Sequence, residues 1–162
     1  MTQTAPVIDS QAGFAAALRW GFETAIEQGA RQLLCVDARF EHWPLDDAAL
    51  LTALGAWLRL PQRRLVLLAA SFDEVPRRQP RFNTWRRDWA HAIACWQAPE
   101  EMAADLPTVL LDDGAVSVRL IDAEHWRGRA EVDARGARLW RDRVDVVLQR
   151  SSPAFPVNTL GL

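Results

Sequence analysis

Histidine is the side chain whose ordinary pKa suits proton transfer near neutrality, and this chain carries three: His42, His91 and His125. Asp88 and His91 stand three residues apart, a spacing that helical metal ligands share with plain surface pairs. Cys95 follows four residues later inside the apolar run AIACW, where burial is expected. No further His or Cys completes the spacing of a zinc site, so neither a metal nor a cofactor is expected. Acyl transfer by an activated serine has little to work with. The five serines are Ser10, Ser71, Ser117, Ser151 and Ser152, and none lies in a Gly-x-Ser-x-Gly turn. Ser71 follows an apolar strand, the place where α/β sheets carry their sites, but with Glu74 it also suits a local cap or turn. The acid pairs Asp46-Asp47 and Asp112-Asp113 read as a helix cap and a turn, because adjacent side chains rarely converge on one substrate.

The most coherent polar feature is basic. Arg77, Arg78, Arg81, Arg86 and Arg87 mostly project away from an apolar helical stripe of Phe82, Trp85 and Trp89. Against Asp73, Glu74 and Asp88 they leave a local charge of +2, with −4 on the rest of the chain. Tight nucleic-acid binding at physiological salt takes on the order of six or more phosphate contacts, so nucleic acid is not the expected partner. A solvated face, an anionic small molecule or a protein contact fits the patch better. The loop Ala38–Leu45 adds Arg39 and His42. The candidate ligand-binding residues are therefore Arg39, His42, Arg77, Arg78, Arg81, Arg87 and His91, and no catalytic residue is assigned.

The elements that must position these groups follow from periodicity. Met1–Ile8 reads as a loose lead-in, with residues 1–9 a flexible terminus. Ser10 caps a helix to about Gln28, with Phe14, Leu18, Phe22 and Ile26 on one face. Gln32–Asp37 and Arg64–Ala70 are short bounded apolar runs, hence buried strands. Between them Asp46 caps a helix to about Arg59. A third helix is expected from Pro80 to Ala94, then a short strand at Ile93–Ala98. Val109–Leu111, an Asp112-Asp113-Gly114 turn and the alternating Val116, Val118 and Leu120 form a hairpin. His125 falls in a strand-like stretch after it. Ala134–Gln149 is a closing helix with Ala137, Trp140, Val144, Val147 and Leu148 inward. Residues 10–150 thus form a single layered α/β domain, a mixed β-sheet flanked by helices. Residues 151–162 form an extended apolar tail that packs on something, self or partner.

Composition narrows the chemistry. At 162 residues with net charge −2 and eight Trp, the chain suits one well-filled domain with no overall pull toward polyanions. Cys35 and Cys95 each sit in an apolar run and read as buried free thiols. With no signal peptide and no membrane-length apolar run, a reducing cytoplasm is expected. All nineteen basic residues are Arg, which excludes a P-loop lysine, a Schiff-base lysine and a Ser-Lys dyad. The absence of Tyr removes phenolic acid–base chemistry.

One stretch resembles a known family. Leu106–Gly114 (LPTVLLDDG) has the spacing and apolar run of the phospholipase D motif, His-x-Lys-x-x-x-x-Asp followed by Gly, at the start of a central strand. Leu106 stands at the position of the nucleophilic His and Thr108 at that of the phosphate-binding Lys; only Asp113 matches. The order of elements is also similar, and the Cys35–Asp46 loop and Arg81–His91 segment resemble a bacterial branch of that superfamily lacking the motif. The resemblance implies a phospholipase D-like fold without the phosphoenzyme nucleophile, with Asp113 as a turn residue. It further implies a homodimer, since active relatives pair two such domains around the site. The expected function is a non-catalytic binding or interaction module for a protein partner or anionic ligand, with no membrane attachment. The alternatives are a hydrolase or phosphodiesterase with a non-standard site, built from Asp37, His42 and Ser71 at the strand ends, or an anion- or nucleic-acid-binding domain using the Arg77–Arg87 patch.

Overall fold

Apolar runs that are buried on both faces become the centre of the sheet. The computed structural model describes residues 4–157. Its first half holds β1 (Val7–Ile8), α1 (Gln11–Glu27), β2 (Gln32–Val36), α2 (Ala48–Leu58), β3 (Arg64–Ala69), α3 (Val75–Arg78) and α4 (Pro80–Trp85). A 3-10 turn, Arg86–Trp89, leads into β4 (Ile93–Gln97), α5 (Glu100–Ala103) and β5 (Thr108–Asp112). The chain closes with β6 (Val116–Asp122), β7 (Arg127–Val132), α6 (Ala134–Gln149) and β8 (Ser152–Pro153). The eight strands form one mixed sheet in the order β1-β7-β6-β5-β2-β3-β4-β8. β2, β3 and β4 run parallel, while β5 returns antiparallel beside β2 and continues into a β5-β6-β7 meander.

Because side chains alternate across a strand, each central strand feeds two cores. Leu33, Cys35, Leu65, Leu67 and Leu110 face α1, α2 and α4, where Phe14, Leu18, Phe22, Leu54, Trp57 and Phe82 are buried. Leu34, Val36, Val66, Leu68, Val109 and Leu111 face α6 through Val144, Trp140, Val147 and Leu148. The five inward residues expected on the closing helix all lie on the sheet side, Ala137 and Val144 fully buried. Each fully buried large side chain contributes about 1.5–3 kcal/mol, so the three-helix face anchors the domain. α1 lies so close to the sheet that a Cβ at Gly21 would stand 2.7 Å from Val118 Cγ2.

Several elements differ from their expected form. Val7–Ile8 is a strand paired with Gly128–Arg129, because Ile8 reaches the core under α1. Ser10 caps α1 as expected, its Oγ accepting from the Gly13 amide at 2.9 Å. The cap of α2 is Asp47, whose Oδ1 accepts from the amides of Ala49 and Leu50. Asp46 serves another helix: its Oδ1 accepts from Arg81 N at 2.6 Å and Phe82 N at 3.2 Å. The long helix expected from Pro80 to Ala94 is instead α4 and the 3-10 turn, with α3 an additional short helix just before it, since the chain must reverse in time for Ile93 to pair with Leu65. The strand-like segment around His125 is the β6–β7 turn. Ser152–Pro153 pairs with β4, and Phe155 stacks on Phe72, so the described part of the tail packs on its own domain. Residues 1–3 and 158–162 of the two expected termini lie outside the described residues.

Candidate functional site

β2 ends at Val36, and the antiparallel β5 begins at Thr108 on the same side of the sheet. Asp37 and Thr108 therefore share a pocket of about 200 Å³ with His42, Phe14, Trp43 and Trp126. The Thr108 hydroxyl donates to Asp37 Oδ1 at 2.6 Å, and the Phe40 amide donates to Asp37 Oδ2 at 2.8 Å. Phe40 is fully buried with φ of 58°, a left-handed conformation that a bulky side chain adopts only under constraint. The constraint includes Gln79, itself 3% exposed, whose amide donates to the carbonyls of Phe40 at 3.0 Å and Trp43 at 2.7 Å. Polar groups inside a fold are costly unless bonded, and here they hold one loop.

His42 lies 3.1 Å from the Gln11 side-chain amide through Nδ1, with its ring edge-on to Trp126 at 5.0 Å. It makes no hydrogen bond to Asp37. Ser71 accepts the Asp73 amide at 3.1 Å, the local turn that its position beside Glu74 suggested. His125 pairs with Asp122 at 2.8 Å in the β6–β7 turn, holding the Asp122 carboxyl below the usual range. Leu106 is half-buried against the α6 core. Asp113 accepts the Arg31 amide at the opposite end of β5, roughly 17 Å from Thr108 at about 3.3 Å per residue. The turn itself is held by Asp112, whose Oδ1 accepts from Gly114 and Val116. Among the described residues no group of three or more His, Cys, Asp or Glu could hold a metal ion.

The expected arginine patch does not form one surface. Arg39 and Arg78 both reach Glu41, and Arg77 and Arg78 both reach Glu74, so the loop after β2 and helix α3 meet at one charged surface. The hydrogen bond from Arg77, opposed only in part by desolvation, holds the Glu74 carboxyl below its ordinary range. Arg81 lies at the start of α4, where only its backbone amide is engaged by Asp46. Arg87 and His91 are exposed near β4, His91 with its ring 6.2 Å from that of Trp89. Arg39, Arg77 and Arg78 thus meet at one charged surface through Glu41 and Glu74, whereas His42 contacts Gln11 and Trp126, and Arg81, Arg87 and His91 do not share that contact set.

Sequence reasoning placed Arg86 with its neighbours as a surface cation. It is 6% exposed, and its guanidinium carbon lies 3.6 Å from the centre of the Phe155 ring. The signal that could have found it was helical phase: Arg86 follows Phe82 by four residues, on the stripe that faces the core. Among the described residues no helix is long and apolar enough to cross a membrane. No family model, curated protein or solved structure matches the chain.

Proposed function

We propose that this protein acts by binding rather than by turnover, as a phospholipase D-like α/β module without that family's nucleophile. The observation that supports the reading is how Asp37, His42 and Ser71 are engaged. Asp37 is bonded through both carboxylate oxygens to Thr108 and Phe40, His42 to Gln11, and Ser71 to a turn amide. A nucleophile, its base and the group that orients the base must be mutually bonded, and no two of these three are. The surface offered to a partner is the one where Arg39, Arg77 and Arg78 surround Glu41 and Glu74, three cations against two anions beside the strand ends. It suits an anionic ligand or an acidic protein segment. A homodimer belongs to the same proposal.

Two assays test the reading together. Hydrolysis of p-nitrophenyl acetate and p-nitrophenyl phosphate should be indistinguishable among the native protein, Asp37→Asn, His42→Ala and Ser71→Ala. Anisotropy of a fluorescein-labelled octaglutamate peptide should rise with added protein at low salt and fall when Arg77 and Arg78 are both changed to Glu. Hydrolysis that depends on any of the three side chains, or peptide binding indifferent to charge reversal, would overturn it.

A further inference from the structure

We propose that Arg86 is the anion seat of a small-molecule site at the β4–β8 end of the sheet, which takes the carboxylate of an organic acid with an apolar body. This goes beyond the charged surface just described and does not depend on it. Arg86 is 6% exposed, yet no carboxylate of the described residues pairs with it. Its Nε donates to Asn83 Oδ1 and its Nη2 to the Pro156 carbonyl, both at 3.4 Å. Those distances are long for hydrogen bonds, and neither acceptor carries charge. Nη1 has no acceptor among the described residues. The Phe155 face, 3.6 Å from the guanidinium carbon, stabilises the cation but leaves it without a counter-ion among the described residues.

A buried guanidinium normally meets a carboxylate or phosphate, because desolvating an unpaired charge is unfavourable. The thiol beside it does not fill that role. Burial pushes the Cys95 pKa up to about 11 against the pull of Arg86, so the thiol stays neutral at physiological pH. Arg86 itself has its pKa lowered, chiefly by burial. What the guanidinium meets is a cavity of about 410 Å³ walled by Ile93, Cys95, Trp96, Phe155 and Val157. Small-molecule sites span about 300–1,000 Å³ and combine apolar walls with a few placed polar groups. One guanidinium balances one negative charge. A phosphate dianion would bring a second charge among apolar walls, since Arg87, the next cation felt at Arg86, is exposed. The geometry therefore favours a carboxylate on the Arg86 fork, with the apolar body against Trp96 and Phe155.

Calorimetric titration of the full chain with 3-phenylpropionate, indole-3-acetate and octanoate tests the site. Neutral 3-phenylpropionamide and phenyl phosphate serve as the discriminating probes. At least one acid should saturate a single site below about 10 mM, with the amide and the Arg86→Gln variant each weaker by about tenfold or more. Arg138→Gln, an exposed position on α6, should bind as the native protein does. Should Arg86→Gln fail to fold by circular dichroism, Ala90→Trp at the cavity wall keeps the guanidinium, and it should abolish binding with the native melting temperature retained. The proposal is overturned if no acid saturates, if the amide binds as well as the acid, if Ala90→Trp or a folded Arg86→Gln binds normally, or if phenyl phosphate binds tighter than every carboxylate.

Discussion

Thr108 donates its hydroxyl to Asp37 Oδ1 at 2.6 Å and so joins the first residue of β5 to the residue that follows β2. The second oxygen of the same carboxylate takes the Phe40 amide at 2.8 Å. On the proposed phospholipase D-like reading, Thr108 occupies the position of that family's phosphate-binding lysine. Here the position carries a short neutral donor whose bond is internal to the sheet.

Replacing Thr108 by Val keeps the shape and removes the donor. Hydrogen bonds to charged groups contribute about 1.5–3 kcal/mol, so Thr108→Val should lower unfolding free energy by about that amount in urea denaturation. Asp37→Ala should lose more, because it also frees the Phe40 amide and the left-handed turn that follows.

Gln79 makes a second test of the same loop. Its buried amide serves two carbonyls, and an apolar replacement leaves both without a partner. Gln79→Leu should cost about 1–3 kcal/mol. Hydrogen exchange should quicken first around residues 38–45, ahead of β2 and β3; uniform quickening would mean that Gln79 supports the whole domain and not the loop.

The fold was legible where one physical rule dominated. Ser10 before Phe14 and Leu18, the runs QLLCV and RLVLLA, and the Asp-Asp-Gly turn each announce their element without help from tertiary contacts. The break after Trp85 was not legible, because the stripe Phe82, Trp85, Trp89 continues at helical spacing through it. What ends the helix is the register of β4 against β3, a contact between residues 28 apart, Leu65 and Ile93. Asp46 and Asp47 are both good caps by type; which one caps α2 depends on the start of α4, 35 residues on from Asp46. The charged surface was half visible: its arginines were evident, but their joining through Glu41 depends on how α3 lies against the loop. Arg86 was missed because an arginine among arginines reads as surface unless the partner of its ring face, Phe155, is known.

If Arg86 is kept for a ligand and not for the fold, removing its charge should not weaken the protein. Arg86→Met retains the apolar stem and removes a buried cation that no carboxylate of the described residues pairs. Thermal unfolding should show stability unchanged or higher by about 1 kcal/mol. A loss beyond about 2 kcal/mol would make the guanidinium a structural group.

Asp112 predicts an unusual pH dependence. Burial raises its pKa against the opposing amides of Val116 and Gly114. A carboxyl whose folded pKa lies above its unfolded value stabilises most when protonated, and that contribution is lost as pH rises through the folded pKa. Asp112→Asn keeps an acceptor and removes the titration. Relative to the native protein, the variant should gain stability on going from pH 3 to pH 7, as measured by paired urea denaturation curves. The reverse slope would show that the Gly114 and Val116 amides outweigh burial.

A protein that binds without turnover forms no phosphoenzyme on any of its histidines. The protein should be incubated with bis(p-nitrophenyl) phosphate, following p-nitrophenolate release and intact mass after a non-acidic quench. Release at the buffer rate with an unchanged mass is the predicted result. Release above buffer accompanied by a phosphoryl adduct, both lost in His42→Ala or His125→Ala, would contradict it.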